Sequence, residues 1–106
     1  MSGFSWHCID GAVQLAEGQM LGTSINGKSL VICRSRDGYH VLDGICTHAF
    51  ANLHEGRLRG YRLICPLHGG SFDCRTGQVL GAPAVAPLGV YRVRVTQGGL
   101  EVELPL

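Results

Sequence analysis

Two short segments of the chain each carry one cysteine and one histidine. The first is Cys46-Thr47-His48 and the second is Cys65-Pro66-Leu67-His68, with 16 residues between them. Thiolate and imidazole are soft or borderline metal ligands, and both zinc and iron–sulfur centres use them. Zinc modules more often place two cysteines in one segment and two histidines in another, or use cysteines alone. The mixed layout predicts a metal centre held by two loops, each giving one ligand of each kind.

Small residues follow the second pair, in the order His68-Gly69-Gly70-Ser71. A sulfide-bridged cluster needs backbone N–H groups aimed at its sulfur atoms, and so needs residues that let the chain approach closely. Pro66 stiffens the same loop and withholds one donor. A zinc ion is satisfied by four side chains and sets no such demand. The pattern favours a [2Fe–2S] cluster with two histidine ligands on one iron, and structural zinc is the alternative.

The other cysteines and histidines are interpreted as scaffold. Cys33 lies in an apolar run and is predicted to be a buried hydrophobe, while Cys8 and Cys74 are assigned structural roles over ligation. An odd total of five cysteines argues against a disulfide framework and fits a reducing compartment. His54 is predicted to be a solvated turn residue, with a partner contact or an alternative ligand as the second interpretation. The remaining two histidines, His7 and His40, are expected at the surface or partly buried on strands.

Size and charge restrict the class of protein. The chain has 106 residues, enough for one domain with one modest core. A formal net charge of +1 argues against nucleic-acid binding. No apolar run approaches the ~20 residues of a membrane span, and the first ten residues show no secretory signal. We therefore expect a cytoplasmic monomer.

Turn residues and alternating patterns predict strands throughout the chain. Asn26-Gly27 is a strong type I′ hairpin signal and joins residues 19–25 to residues 28–34. Phe4–Cys8 has the pattern of an edge strand, and Arg36-Asp37-Gly38 is a second tight turn before Tyr39–Asp43. No window keeps a helical period long enough to bury one face. The prediction is an all-β domain with a metal-binding insertion: a basal part of about 1–43 and 75–106, and a cluster-binding subdomain of about 44–74 that includes a hairpin (57–59 with 61–65).

The end of the chain predicts a hairpin with a definite register. Residues 91–95 and 100–104 both alternate apolar and charged side chains around a connection at Thr96–Gly99. That register places Arg94 opposite Glu101 and Arg92 opposite Glu103. Each exposed pair is worth roughly 0.2–1 kcal/mol, so the pairs fix register more than they stabilise the fold.

The two metal segments resemble the cluster-binding motifs of Rieske proteins. Phe72-Asp73, Thr76-Gly77 and Pro83 also match the pattern of that family, and the likeness covers almost the whole chain. The chain is most similar to the small Rieske ferredoxins that serve bacterial aromatic-ring dioxygenases. The resemblance implies a Rieske-like antiparallel β-sandwich or barrel with an inserted cluster-binding subdomain.

The resemblance also implies the ligands of one [2Fe–2S] cluster. Cys46 and Cys65 would hold the inner iron, and His48 and His68 the outer iron near the surface. No glycine fingerprint for a nucleotide and no mononuclear 2-His-1-carboxylate iron site is found. The implied function is single-electron transfer from a flavoprotein ferredoxin reductase to the terminal oxygenase Rieske subunit of a biphenyl-, naphthalene- or carbazole-type dioxygenase, without catalysis by this chain. The alternatives are the small subunit of a nitrite reductase and a structural zinc module.

Departures from the respiratory branch of the family predict a low potential. That branch has a disulfide between its motifs, which this chain lacks, and hydroxyl donors at the positions of Gly70 and Phe72. Fewer hydrogen bonds to the cluster leave its reduced form less stabilised. We expect a potential at the low end of the Rieske range, roughly −150 mV.

The surface around the two motifs suggests how partners dock. The residues that sequence and family pattern place beside the two motifs are mostly apolar, namely Ala49, Phe50, Pro66, Leu67 and Pro83. These residues are interpreted as a docking rim for brief encounters with partners. The alternative for Phe50 and Leu67 is that their side chains point inward and fill the subdomain. Leu53 is expected to fill the base of the subdomain. Three arginines, Arg57, Arg59 and Arg62, are interpreted as a solvated face, with steering of an acidic partner as the alternative.

Overall fold

The fold of this computed structural model, which describes residues 3–47 and 49–106, consists of short antiparallel strands and two 3-10 turns. Four strands precede the first metal segment: β1 (Phe4–Ile9), β2 (Met20–Ile25), β3 (Lys28–Ser35) and β4 (Gly38–Asp43). The middle of the chain contains β5 (Arg57–Arg59), β6 (Arg62–Ile64), β7 (Ser71–Asp73) and β8 (Val79–Gly81). The last three strands are β9 (Val90–Tyr91), β10 (Val93–Thr96) and β11 (Gly99–Pro105). The 3-10 turns are Ala12–Gln14 and Leu53–Glu55.

The strands form three sheets. The orders are β1-β11-β10, β2-β3-β4-β9 and β5-β6-β7-β8, and the first two sheets belong to the basal part. The third sheet carries the second metal segment between β6 and β7, and β8 extends it to Gly81. The predicted all-β class with antiparallel pairing is confirmed. None of the helices in the described part of the chain could cross a bilayer.

Strand β3 is buried on both faces and joins the two cores. Leu30 and Ile32 face the core between the two basal sheets, while Val31 and Cys33 face the core beneath the third sheet. A continuous apolar run is the pattern expected of a strand covered on both sides. The predicted burial of Cys33 is confirmed, since its side chain is fully enclosed. The metal-bearing sheet therefore rests directly on the back of the basal sheet.

The three predicted hairpins form, but the turn of the last one is shorter than predicted. Thr96 and Gly99 pair with each other and leave Gln97-Gly98 as the turn, and Tyr91 belongs to β9 instead of the hairpin. Asn26 (φ 53°) and Gly27 (φ 80°) both have positive φ, as a type I′ turn requires. In the last hairpin Arg94 lies opposite Glu101, with Nε 2.7 Å from Oε1. The Glu103 N–H donates to the Arg92 carbonyl at 2.9 Å, and their side chains are 4.0 Å apart.

A half-buried histidine makes the basal part sensitive to acid. His40 Nε2 lies 2.7 Å from the Ser35 hydroxyl, which itself accepts the Asp37 N–H. Burial lowers the pKa of His40, with an opposing effect from the carboxylates of Asp37 and Asp73. A histidine with a depressed folded-state pKa stabilises the fold above its unfolded pKa of ~6.5, and that stabilisation is lost as the pH falls through the folded value.

We expect His40→Gln to reduce the loss of thermal stability on acidification. Between about pH 8 and about pH 5.5 the melting temperature of the wild type should fall further than that of the variant. Circular dichroism of the cluster-loaded protein measures both curves, with His7→Gln on strand β1 as the control. Parallel losses in the wild type and His40→Gln would show that another group governs the acid sensitivity.

Candidate metal centre

The two metal segments form loops that are closed in the same way. The Cys46 N–H donates to the Ala51 carbonyl at 3.0 Å, and the Cys65 N–H donates to the Gly70 carbonyl at 2.7 Å. In each loop the acceptor therefore lies five residues after the cysteine. An isolated bridge between Ile45 and Asn52 further fixes the first loop. These closures hold each cysteine at the base of its loop.

The two cysteine side chains meet beneath the loops. Cys46 is 4% exposed and Cys65 is 2% exposed, and their thiols are hydrogen-bonded to each other. Burial raises the pKa of the Cys65 thiol, and the Cys46 thiol raises it further. The Leu67 N–H acts in the opposite direction because it donates to the Cys65 sulfur. A backbone amide aimed at a ligand sulfur is one of the features that stabilise iron–sulfur clusters.

His68 occupies the outer end of the second loop. Its φ of 63° is left-handed, as is that of Gly69 at 73°, and both residues are exposed. A left-handed non-glycine residue costs roughly 1–3 kcal/mol and is found most often at functional sites. This turn separates the exposed His68 from the buried Cys65 within four residues. The fourth candidate ligand, His48, lies outside the described residues.

The loops rest on a continuous apolar core. Leu53, Leu63, Phe72 and Cys74 have no exposed surface, and they belong to the same core as the two candidate cysteine ligands. The prediction that Leu53 plugs the base of the subdomain is confirmed. Gly56 approaches so closely that an added Cβ would meet the Ile64 carbonyl oxygen at 1.9 Å. Any larger residue at Gly56 would separate the first loop from β6.

Two contacts of this region had no clear sequence signal. The Thr47 hydroxyl donates to the Ala86 carbonyl at 2.8 Å and ties the first loop to the segment after Pro83. The Cys33 thiol is hydrogen-bonded to Cys74, and this contact together with burial raises the pKa of Cys33. Both contacts join residues about 40 positions apart, which spacing alone does not reveal. The second agrees with the structural role predicted for Cys74.

The remaining predicted residues lie around the centre rather than in it. Phe50 is fully exposed and Leu67 is 47% exposed, so the rim interpretation is favoured over inward plugs. His54 is exposed on the 3-10 turn and its ring covers Gly22 of strand β2. Among residues 3–47 and 49–106, no three His, Cys, Asp or Glu side chains converge on a single-ion site. This statement does not cover a metal site that includes His48, which is not among the described residues.

Comparison with known proteins agrees with this geometry. The family model for the Rieske [2Fe–2S] domain matches residues 5–92. The ferredoxin component of the naphthalene 1,2-dioxygenase system of Pseudomonas aeruginosa is 33% identical over 91 residues, 86% of this chain and 88% of that protein.

Two solved structures extend the comparison. A chain in the complex of reduced oxygenase and oxidised ferredoxin in carbazole 1,9a-dioxygenase superposes with a TM-score of 0.86 at 34% identity, covering 92% of this chain and 91% of the other. A putative nitrite reductase small subunit from Mycobacterium tuberculosis has a TM-score of 0.77 at 21% identity, covering 98% and 96%, which indicates a shared fold only.

Fold, loops and relatives together define a small all-β iron–sulfur protein. The chain belongs to the Rieske [2Fe–2S] domain family. Its cofactor is a [2Fe–2S] cluster, and the adjacent buried thiols, the amide directed at Cys65 and the exposed His68 fit that group.

Phe72 offers a direct test of the low potential expected from the sequence. Its ring is fully buried in the core that contains Cys46 and Cys65, and it has no hydroxyl to donate. We expect Phe72→Tyr to raise the potential by about 60 mV, since one hydrogen bond to the reduced centre is worth roughly 1.4 kcal/mol. Voltammetry measures this shift, and Phe50→Tyr on the exposed rim is the matched control. Equal potentials in the two variants would contradict the interpretation that the missing hydroxyl at position 72 lowers the potential.

Proposed function

We propose that this chain is a Rieske ferredoxin that carries single electrons from a flavoprotein reductase to the terminal oxygenase of an aromatic-ring dioxygenase. The observation that carries the proposal is the pair of buried thiols beneath an exposed histidine. The similarity to ferredoxins of naphthalene and carbazole dioxygenase systems supports the choice of partners. The nitrite reductase alternative has support only from a shared fold.

In this proposal Cys46 and Cys65 hold the inner iron, and His48 and His68 hold the outer iron. Bound there, the cluster supplies a site that accepts one electron and gives it up again. With two thiolates and two neutral imidazoles it is neutral when oxidised and carries one negative charge when reduced. The closed loops keep the cysteine side in the core, so that solvent and partners reach the histidine side. The chain itself would bind no aromatic substrate.

The exposed apolar side chains near the loops would form the docking rim. Phe50 is fully exposed, Val85 is 87% exposed and Leu67 is 47% exposed. Small apolar contacts suit an electron carrier because a small buried area allows rapid release. The chain would act as a monomer in the cytoplasm, where the three cysteines outside the proposed ligand set, Cys8, Cys33 and Cys74, stay reduced.

We expect Phe50→Ser to slow transfer to the oxygenase about tenfold, since losing one exposed aromatic contact costs roughly 1–2 kcal/mol of docking. The potential should not change, because the Phe50 side chain is fully exposed and carries no charge. The control is Val95→Ser on strand β10, which is 63% exposed at a distance along the chain from both loops. Stopped-flow oxidation of the reduced protein by oxygenase measures the rate. Equal rates for the two variants would contradict the proposal that Phe50 belongs to the docking rim.

Reconstitution tests the function as a whole. The cluster-loaded protein replaces the ferredoxin in the naphthalene and carbazole systems, with NADH, reductase and oxygenase present. We expect NADH-dependent hydroxylation with at least one system and one electron accepted per chain. A fully loaded protein that accepts no electron from either reductase would contradict the proposal.

A further inference from the structure

A groove with two exposed arginines, Arg57 and Arg59, runs along the outer face of strand β5. Arg57 and Arg59 point outward on either side of the buried Leu58. One depression, of about 490 Å³, is lined by Arg57, Arg59 and His54, together with Gly18 and with Met20 at the start of β2. A second, of about 330 Å³, adjoins it at Gly56 and Arg57. Its lining reaches the second metal loop: Glu55, Gly56, Arg57, Ile64, Cys65, Pro66 and Gly69. We call the two depressions together the β5 groove.

The arginines of the β5 groove differ from the three arginines of the described chain that form ion pairs. Arg75, Arg92 and Arg94 each lie within 4.0 Å of a carboxylate. Within the described part of the chain, Arg57 and Arg59 have no carboxylate at that distance. Glu55 lines only the end of the groove near Cys65. The two guanidinium groups are therefore available to an external anion.

The strand pairing concentrates positive charge further. Arg59 lies directly opposite Arg62 in the β5–β6 hairpin, an arrangement of like charges that disfavours folding. Arg62 turns away and donates to the Ser71 hydroxyl at 2.6 Å. Residues 44–81 contain four arginines and two acids, a net +2, whereas the rest of the chain has five basic and six acidic residues, a net −1. The segment that carries the metal loops is thus positive, and the rest of the chain is slightly negative.

We propose that the β5 groove binds a carboxylate-bearing segment of the flavoprotein that reduces the cluster; the inference rests on the proposed function. Arginine suits this task because its planar guanidinium matches a carboxylate with two hydrogen bonds. The groove leads from Arg59 to the loop of Cys65, so an acidic segment seated there places the partner beside the cluster.

The charge of the cluster indicates that the groove binds the electron donor and not the electron acceptor. The oxidised cluster is neutral, so the donor meets the full positive field of residues 44–81. Uptake of one electron adds one negative charge close to the groove and weakens its attraction for carboxylates. An acidic segment is therefore held before the transfer and released after it, with roughly a twofold to fourfold difference in affinity.

Two variants that replace arginine by glutamine, one inside the groove and one outside it, separate the groove from general charge effects. Arg57→Gln with Arg59→Gln removes both groove charges. Arg92→Gln removes an exposed arginine on the basal hairpin and serves as the control. Visible absorption establishes that each protein retains its cluster.

The first measurement uses a hexaglutamate peptide as the probe. Calorimetry at low ionic strength should show binding to the oxidised wild type, with affinity reduced about tenfold in the double variant and unchanged in Arg92→Gln. The reduced protein should bind the peptide more weakly than the oxidised one. Equal affinity in the two variants, or no binding by the wild type, would overturn the proposal.

The second measurement uses whichever reductase transfers electrons in the reconstitution. The bimolecular rate should fall about tenfold in the double variant at low ionic strength, and the two rates should converge as salt is added. Identical salt dependence in the double variant and Arg92→Gln would overturn the donor assignment. If no reductase transfers electrons to the wild type, the proposed function fails, while the peptide measurement still decides whether the groove binds carboxylates.

Discussion

Replacing Cys65 by alanine should yield a protein without its cluster. In the proposed ligand set Cys65 binds the inner iron, and its thiol is buried beside Cys46 and receives the Leu67 N–H. Iron and acid-labile sulfide should fall below about a tenth of the wild-type content, because ligand loss and cluster loss are coupled. Elemental analysis and visible absorption measure the outcome.

Cys8→Ala is the matched control for that experiment. Cys8 is exposed on strand β1 and its thiol makes only a long contact, 3.7 Å, with the Gly98 carbonyl. This variant should keep a full cluster. A red-brown Cys65→Ala protein with wild-type iron would show that the metal is held elsewhere in the chain.

Replacing His68 by cysteine should lower the reduction potential by about 100–150 mV. A thiolate adds one negative charge where a neutral imidazole stood, which disfavours the reduced cluster; four-cysteine clusters lie about 250 mV below the low end of the Rieske range. The exposed, left-handed position of His68 leaves room for the shorter side chain. Potentiometric titration followed by EPR measures the potential.

His54→Cys is the matched control for the outer ligand. His54 is an exposed histidine near the first loop, but its ring lies over Gly22 of the basal sheet. Its replacement should leave the potential unchanged. The same potential and spectrum in wild type and His68→Cys would remove His68 from the ligand set, whereas loss of the cluster from that variant alone would also identify it as a ligand.

Local chemistry accounts for the parts of the fold that could be predicted. The type I′ turn at Asn26-Gly27 follows from the positive φ that both positions need. The register of Arg94 with Glu101 follows from alternation on the last two strands. The two metal segments could be proposed from the sequence because zinc modules rarely pair one cysteine with one histidine in each loop.

Contacts between distant parts of the chain could not be predicted. Nothing in the pattern of strand β1 specifies that it pairs with β11, since any exposed strand edge with an alternating pattern would serve. The choice between rim and plug for Phe50 depended on how the first loop closes onto Ala51. The availability of Arg57 and Arg59 likewise depended on where the carboxylates of other strands fall.

Pulsed EPR of the dithionite-reduced protein probes most directly whether nitrogen and sulfur donors occupy opposite ends of the centre. The account predicts a rhombic signal with a low average g and two strongly coupled imidazole nitrogens. Loss of the cluster should abolish the signal and both couplings. A signal with no coupled nitrogen, or natively purified protein that contains no iron and no labile sulfide, would contradict it.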